Sequence, residues 1–203
     1  MIFSKSFSYI QDSPWYYEFL NPLTDEIDTH SKLLDIGTGT GKLLELVHQK
    51  KRIQCTGVDT NSAMLKEAKR KLANTNIVLQ KIEAGRNFPF ENESFDTITI
   101  CNVLFNLKQE AIDHILNESI RLLKNNGKII VLTPTGNNSF MTLSKSYFSL
   151  KNLSIYIWYY ATRNRAGPWT KKQQLLKFAK HHNFKYKRYT ILKDFAQVEI
   201  IQT

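Results

Sequence analysis

A chain of 203 residues is long enough for one sizeable core and short for two, so a single domain spanning residues 1–203 is expected. Hydrophobic residues at 42% and charged residues at 23% exclude a disordered or low-complexity chain, and no apolar run approaches the roughly 20 residues that a membrane-spanning helix needs. The net charge of +10 is concentrated late: residues 1–30 hold one base and five acids, residues 31–140 fifteen and eleven, and residues 141–203 twelve and two. Lysines outnumber arginines 21 to 7 and are scattered, a pattern that suits a solvated face as well as nucleic acid or anionic lipid. The amino terminus lacks the basic-then-apolar layout of a signal peptide, which points to the cytoplasm. Cys55 and Cys101 show no ligand spacing and are expected to be reduced core residues.

Short β-rich runs alternate with helical patterns along most of the chain, the signature of a parallel sheet with crossover helices. The expected strands are Lys32–Ile36, Ile53–Val58, Ile77–Lys81, Phe95–Cys101 and Lys128–Thr133, and the expected helices Gly41–Lys51, Ser62–Ala73 and Gln109–Leu123. "KNNG" reads as a helix stop in which Gly127 takes the left-handed conformation. Residues 137–169 break the alternation. Their aromatic run "IYIWYY", Ile155–Tyr160, can be a lid over an apolar acceptor, a helix on a membrane surface, or a buried helix. A further helix is expected over Lys171–His182. Strands Phe184–Leu192 and Ala196–Ile201 follow, separated only by "KDF", a connection that forces an antiparallel edge pair and gives seven strands in all.

The stretch "LLDIGTGTGK" puts Gly37, Gly39 and Gly41 between the first strand and the first crossover helix, where a ligand can approach backbone amides closely. A P-loop reading fails because Lys42 is followed by Leu43 and not by a hydroxyl residue. A dinucleotide fingerprint counted from Gly37 wants glycine at position 42, which is lysine. Asp59 ends the second strand twenty-two residues after Gly37, where a carboxylate can accept from ribose hydroxyls or cap the helix beginning near Ser62.

Taken together, "LLDIGTGTG", "GVDTN", "NFPFENESFDTITICNVLFNL" and "LLKNNGKIIVLTP" resemble, in order and spacing, the successive motifs of class I S-adenosylmethionine-dependent methyltransferases, above all the group that includes the ubiquinone and menaquinone biosynthesis enzymes. The resemblance covers residues 31–135. It implies a three-layer, Rossmann-like α/β sandwich with a mostly parallel seven-stranded sheet and an antiparallel C-terminal edge hairpin. Around that core it implies an N-terminal cap (1–30), a lid-like insertion (137–169) and a C-terminal helix and hairpin (170–203). The implied cofactor is S-adenosyl-L-methionine. Asp35, Gly37, Thr38, Gly39 and Gly41 would hold its methionine end, Asp59 its ribose, and Val58 and Thr60 its adenosine. Glu83 and Ala84 would meet the adenine from one residue further upstream than usual, and Asn102 and Val103 would lie near the sulfonium. A histidine common in relatives after the fourth strand is replaced in "VLFNL" by Asn106.

Methyl transfer from a sulfonium needs alignment more than acid, base or metal, so no metal site and no catalytic base are assigned. His30, His48, His114, His181 and His182 read as surface or helix-end residues. Tyr16 and Tyr17 in the cap, and "TPTGNN" with Thr135 after the fifth strand, are the candidates for the acceptor side. A small organic acceptor, apolar or aromatic, is the leading partner. An RNA acceptor is the alternative suggested by the basic stretches "RNRAGPWTKKQ" and "HHNFKYKRY", although "CNVL" is not the [DN]PP[YF] of many nucleobase amine methylases. A third alternative is a non-catalytic cofactor-binding or partner-stabilising protein. A peripheral membrane contact is compatible with the aromatic run.

Overall fold

The computed structural model describes Gln11 and residues 13–203, so the first part of the expected cap, residues 1–10 and 12, lies outside the described residues. Helix α1 (Pro14–Glu26) leads into β1 (Lys32–Ile36), α2 (Lys42–Lys51), β2 (Gln54–Asp59), α3 (Ser62–Lys71), β3 (Val78–Lys81) and β4 (Phe95–Cys101). Then come a short 3₁₀ turn (Leu104–Asn106), α4 (Gln109–Leu122), β5 (Leu123–Pro134), α5 (Phe140–Tyr147), α6 (Ser154–Lys172), α7 (Gln174–His181), β6 (Lys185–Ile191) and β7 (Ala196–Gln202). The seven strands run in the order β3-β2-β1-β4-β5-β7-β6. The first five pair in parallel, and β7 joins antiparallel to both β5 and β6. This is the mixed sheet with an antiparallel C-terminal hairpin that the alternation and the short "KDF" link require.

The central strands β1, β2, β4, β5 and β7 are buried on both faces because their side chains alternate between two cores, whereas the edge strands β3 and β6 are half-exposed. Leu33 of β1 and Ile130 and Leu132 of β5 join one core with α1, α2, α5 and the start of α6. Leu34, Ile129 and Val131 join the other with α4, α7 and the end of α6. Helix α6 therefore crosses from one face of the sheet to the other, burying Ile155, Trp158 and Tyr159 on the first side and Ala166 and Trp169 on the second. On the first side it meets α1: the Trp15 and Trp158 rings lie 5.2 Å apart, and Ser154 Oγ is bonded by Ser13 Oγ (2.6 Å) and accepts from Trp15 Nε1 (2.8 Å).

Three local expectations are corrected. The helix expected from Lys171 is the end of α6 continued by α7: the chain stays helical through Gly167 and Pro168, and breaks at Gln173, which has φ 50°. A proline in a helix removes one backbone bond, but burial of Ala166, Trp169 and Thr170 around it holds the turn in place. The left-handed residue in "KNNG" is Asn126 (φ 63°) and not Gly127. Gly127 is needed for closeness, since a Cβ there would lie 2.8 Å from both the Lys124 carbonyl oxygen and Leu123 Cδ2. Strand β5 accordingly begins at Leu123, with a register shift opposite Phe95 and Thr97. Among the described residues, no helix is long and apolar enough to cross a membrane.

Candidate active site

The strand order reverses between β1 and β4, and the crevice at such a switch point, beyond the carboxyl ends of the strands, is where open α/β sheets bind ligands. The glycine loop occupies it. Gly37, Gly39 and Gly41 all have φ between 56° and 79°, a region that costs other residues about 1–2 kcal/mol. The amides of Gly37 and Thr38 both donate to the Val58 carbonyl (2.8 and 3.0 Å), and that of Gly39 donates to Asp59 Oδ2 (2.9 Å). Asp59 Oδ1 accepts from the Asn61 amide (2.7 Å). The helix that follows is capped by Asn61, whose Oδ1 accepts from Ala63 and Met64, so Asp59 is not its cap. Its carboxylate braces the loop and retains further lone pairs.

Two adjoining cavities open on this loop. One, of about 360 Å³, is lined by Thr60, Ile82, Glu83, Ala84, Phe88 and His114 among others; the second, of about 260 Å³, by Tyr16, Leu20, Asp35, Thr38, Lys42 and Cys101 among others. Gly37, Asp59, Asn102 and Val103 line both, so the cavities form one trench with Asp59 at its middle.

In the first cavity, Glu83 is exposed and its Oε2 lies 3.9 Å from Arg86 Nε. Phe88 is set by a bolt to α4. Its amide donates to Glu118 Oε2 (2.7 Å), and Arg121 donates to Glu118 (2.7 Å) and to the carbonyls of Phe88 (3.0 Å) and Phe90 (2.9 Å). The Arg121 hydrogen bond holds the Glu118 carboxyl below its ordinary range.

In the second cavity, Asp35 is buried and accepts from Thr99 Oγ1 (2.8 Å). Burial pushes its carboxyl up to about 6, against the opposing hydrogen bond of Thr99, while Asp59 adds a further upward push. Burial also pushes up the Tyr16 hydroxyl, faced by Gln11, Asn102, Asp35 and Cys101, and the Cys101 thiol, beside Asp35. Both stay protonated at neutral pH. Lys42 Nζ is held by the Tyr17 hydroxyl (2.7 Å) and Glu45 (2.9 Å). Asn102 has φ 57°, and its buried Oδ1 finds no hydrogen-bond partner among the described residues.

Of the residues singled out in sequence, Asp35, Gly37, Thr38, Gly39, Asp59, Thr60, Glu83, Ala84, Asn102 and Tyr16 line the trench. Gly41 does not: it faces α3, where a Cβ would lie 2.7 Å from Leu72 Cδ1. Tyr17 is turned to Lys42. Thr135 lines neither cavity. Its Oγ1 donates to the Asp194 carbonyl (2.5 Å) and its carbonyl accepts from Thr170 Oγ1 (3.0 Å), so it pins the end of β5 to the last hairpin and α6. The aromatic run of α6 likewise lines neither cavity. Two of the other lining residues have a different place from the one expected from sequence. His114, taken for a surface position, lies on the cavity wall with its Nε2 3.0 Å from the Arg86 carbonyl. Cys101, taken for core, is half-buried at the other cavity. The signal for His114 was its place on one face of α4 with Ala111 and Ile115.

The glycines separate folding from binding. At Gly37 a Cβ would lie 2.4 Å from Val103 Cγ2, whereas at Gly39 nothing lies within 4 Å. Gly37→Ala is therefore expected to lower stability by at least about 2 kcal/mol, and Gly39→Ala by only about 1 kcal/mol while filling the trench. Urea denaturation beside calorimetric titration of the cofactor checks this; equal stabilities for the two variants would contradict it.

Residues 33–127 match the protein family described as "Methyltransferase domain". The sheet order and the glycine-loop trench above agree with that match, and residues 33–127 are similar to the domains of class I S-adenosylmethionine-dependent methyltransferases. The chain is 33% identical over 120 residues to the ubiquinone/menaquinone biosynthesis C-methyltransferase of Desulfotalea psychrophila, a match covering 58% of this chain and 48% of that protein. It is 32% identical over 122 residues to the demethylmenaquinone methyltransferase of Thermotoga maritima, covering 59% and 51%. It thus spans about half the length of these curated relatives. The fold is shared with a solved S-adenosylmethionine-dependent methyltransferase from Aquifex aeolicus (TM-score 0.69, 15% identity, 96% of this chain and 97% of that one).

Proposed function

We propose that this chain transfers a methyl group from S-adenosylmethionine to a carbon atom of a small, apolar aromatic acceptor of the quinol kind. The observation that carries the reading is the trench itself, a nucleoside-sized pocket joined end to end through Gly37, Asp59, Asn102 and Val103 to a second pocket with Leu20, Leu43 and Met64 in its wall. The unpartnered Asn102 Oδ1 and the open space over Gly39 fit a polar ligand lying along the loop. The acceptor class is supported by the names of the two relatives, which act in quinone biosynthesis.

When bound, S-adenosylmethionine supplies a methyl group on a sulfonium that departs as a neutral thioether, so no acid is needed to expel it. In this reading Asp59 accepts from the ribose hydroxyls, Glu83 and Ala84 bound the adenine, and Asp35 holds the amino-acid end in the open space over Gly39. Leu20, Leu43, Met64 and Val103 keep water from the acceptor and hold it in line. The bound cofactor would supply its methyl group to the acceptor carbon, leaving a neutral thioether, and the ring proton that the methyl displaces would pass to solvent. Tyr16, with its hydroxyl kept protonated, donates to an acceptor oxygen and is not a base.

Incubation with methyl-labelled S-adenosylmethionine and a short-chain demethylated quinol is expected to give carbon-linked label. Label in a transfer-RNA pool and none in the quinol would replace the acceptor. Cofactor binding with no labelled product from either would leave a cofactor-binding protein.

A further inference from the structure

Helix α6 carries two apolar faces, and the core uses one of them. Ile155, Trp158 and Tyr159 are buried, while Leu153, Ile157 and Tyr160, spaced four and three residues apart on another stripe, are exposed, Ile157 by 62%. The outer stripe continues onto α5: the Phe140 ring lies 5.6 Å from that of Tyr156 and 5.9 Å from that of Tyr160. It ends in the connection between the two helices, where Phe148 and Leu150 are 86% and 84% exposed. A run of large apolar side chains this open marks a contact surface, because single exposed apolar residues are ordinary and contiguous ones are not.

The charge around the patch says which contact. From Ser119 to Lys193 the sequence has no acidic residue. Lys145, Lys151 and Arg163 lie within the segment itself, the Arg163 guanidinium 5.0 Å above the Tyr160 ring. Glu18 of α1 meets the segment at the Tyr147 hydroxyl (3.1 Å). A second copy of the chain on this face would set lysine against lysine, since a two-fold contact pairs a patch with itself. Aromatic and aliphatic tips among lysines and arginines match instead the boundary between lipid headgroups and acyl chains, with its anionic phosphates.

We propose that the outer face of the α5–α6 segment docks this protein on an anionic lipid bilayer. Phe148 and Leu150 enter the headgroup region, and Lys145, Lys151 and Arg163 meet lipid phosphates. The docking face is separate from the trench and does not depend on which acceptor the trench takes.

Flotation with phosphatidylcholine vesicles, with and without phosphatidylglycerol, tests it. The wild type is expected to float with the anionic vesicles and to be released by salt. Phe148→Ser/Leu150→Ser is expected to partition at least about tenfold more weakly, with unchanged thermal unfolding and unchanged S-adenosylmethionine affinity, because both side chains already stand in solvent. Lys145→Glu/Lys151→Glu is expected to lose the preference for anionic vesicles. Failure of the wild type to float with either vesicle, or equal flotation of Phe148→Ser/Leu150→Ser, would overturn the proposal. So would sedimentation showing a wild-type dimer that the same double variant abolishes, because the face would then belong to a second copy.

Discussion

Asp59→Ala is expected to bind S-adenosylmethionine at least about 100-fold more weakly than the wild type, since hydrogen bonds to a charged group contribute about 1.5–3 kcal/mol each and the reading gives the ribose two of them. The same carboxylate holds the Gly39 and Asn61 amides, so the variant also loosens the loop. An analogue lacking the ribose hydroxyls separates the two effects by double-variant logic. The wild type should lose most of its affinity on moving to the analogue, and Asp59→Ala should lose little more. If both proteins lose the same factor, Asp59 braces the loop and does not touch the sugar. Calorimetric titration gives all four affinities.

The second expected result concerns pH. Burial raises the native Asp35 carboxyl from 3.8 to about 6, so the native state holds this proton more tightly than the unfolded chain does. Stability is then greatest while Asp35 is protonated and declines as pH rises from about 4 to about 6, by on the order of 2–3 kcal/mol for a shift of this size. Cofactor affinity should run the other way. An ammonium group facing Asp35 favours the carboxylate, so binding should weaken as pH falls below about 6, by up to about tenfold per unit, and should release a proton near that pH. In Asp35→Asn, which can still accept from Thr99, the unliganded protein should be at least as stable as the wild type at about pH 8. The variant should nonetheless bind cofactor more weakly and without the pH slope. An affinity in the wild type that stays flat between about pH 7 and about pH 5 would remove Asp35 from the cofactor.

The sheet was legible because its central strands are buried on both faces and so stand out as short apolar runs between turn residues. The glycine loop and Asp59 were legible because their spacing along the chain is short. What escaped depended on distances across the chain. His114 meets the trench wall through the Arg86 carbonyl, beside the place where Glu118 and Arg121 of the same helix hold the Phe88–Phe90 backbone, contacts spanning about thirty residues. Thr135 sits where an acceptor loop was expected, but the last hairpin and α6 claim both of its oxygens. Gly167 and Pro168 read locally as a break, and buried neighbours on either side overrode them. In "KNNG" two adjacent residues can both end a helix, and the close approach of the Lys124 carbonyl, visible only in space, decided which one turns.

The contact between α1 and α6 has a consequence for the order in which the molecule is assembled. Residues 13 and 15 bond residue 154, partners 141 and 139 positions away along the chain. A chain emerging from the ribosome amino terminus first can pair β1, β2, β3 and β4 while α1 still lacks the surface that holds Trp15 and Phe19. Tyr16 and Leu20 belong to that same helix, so one wall of the smaller cavity closes only after residue 154 has been made. Among the described residues, the first full helix is thus among the last to find its place.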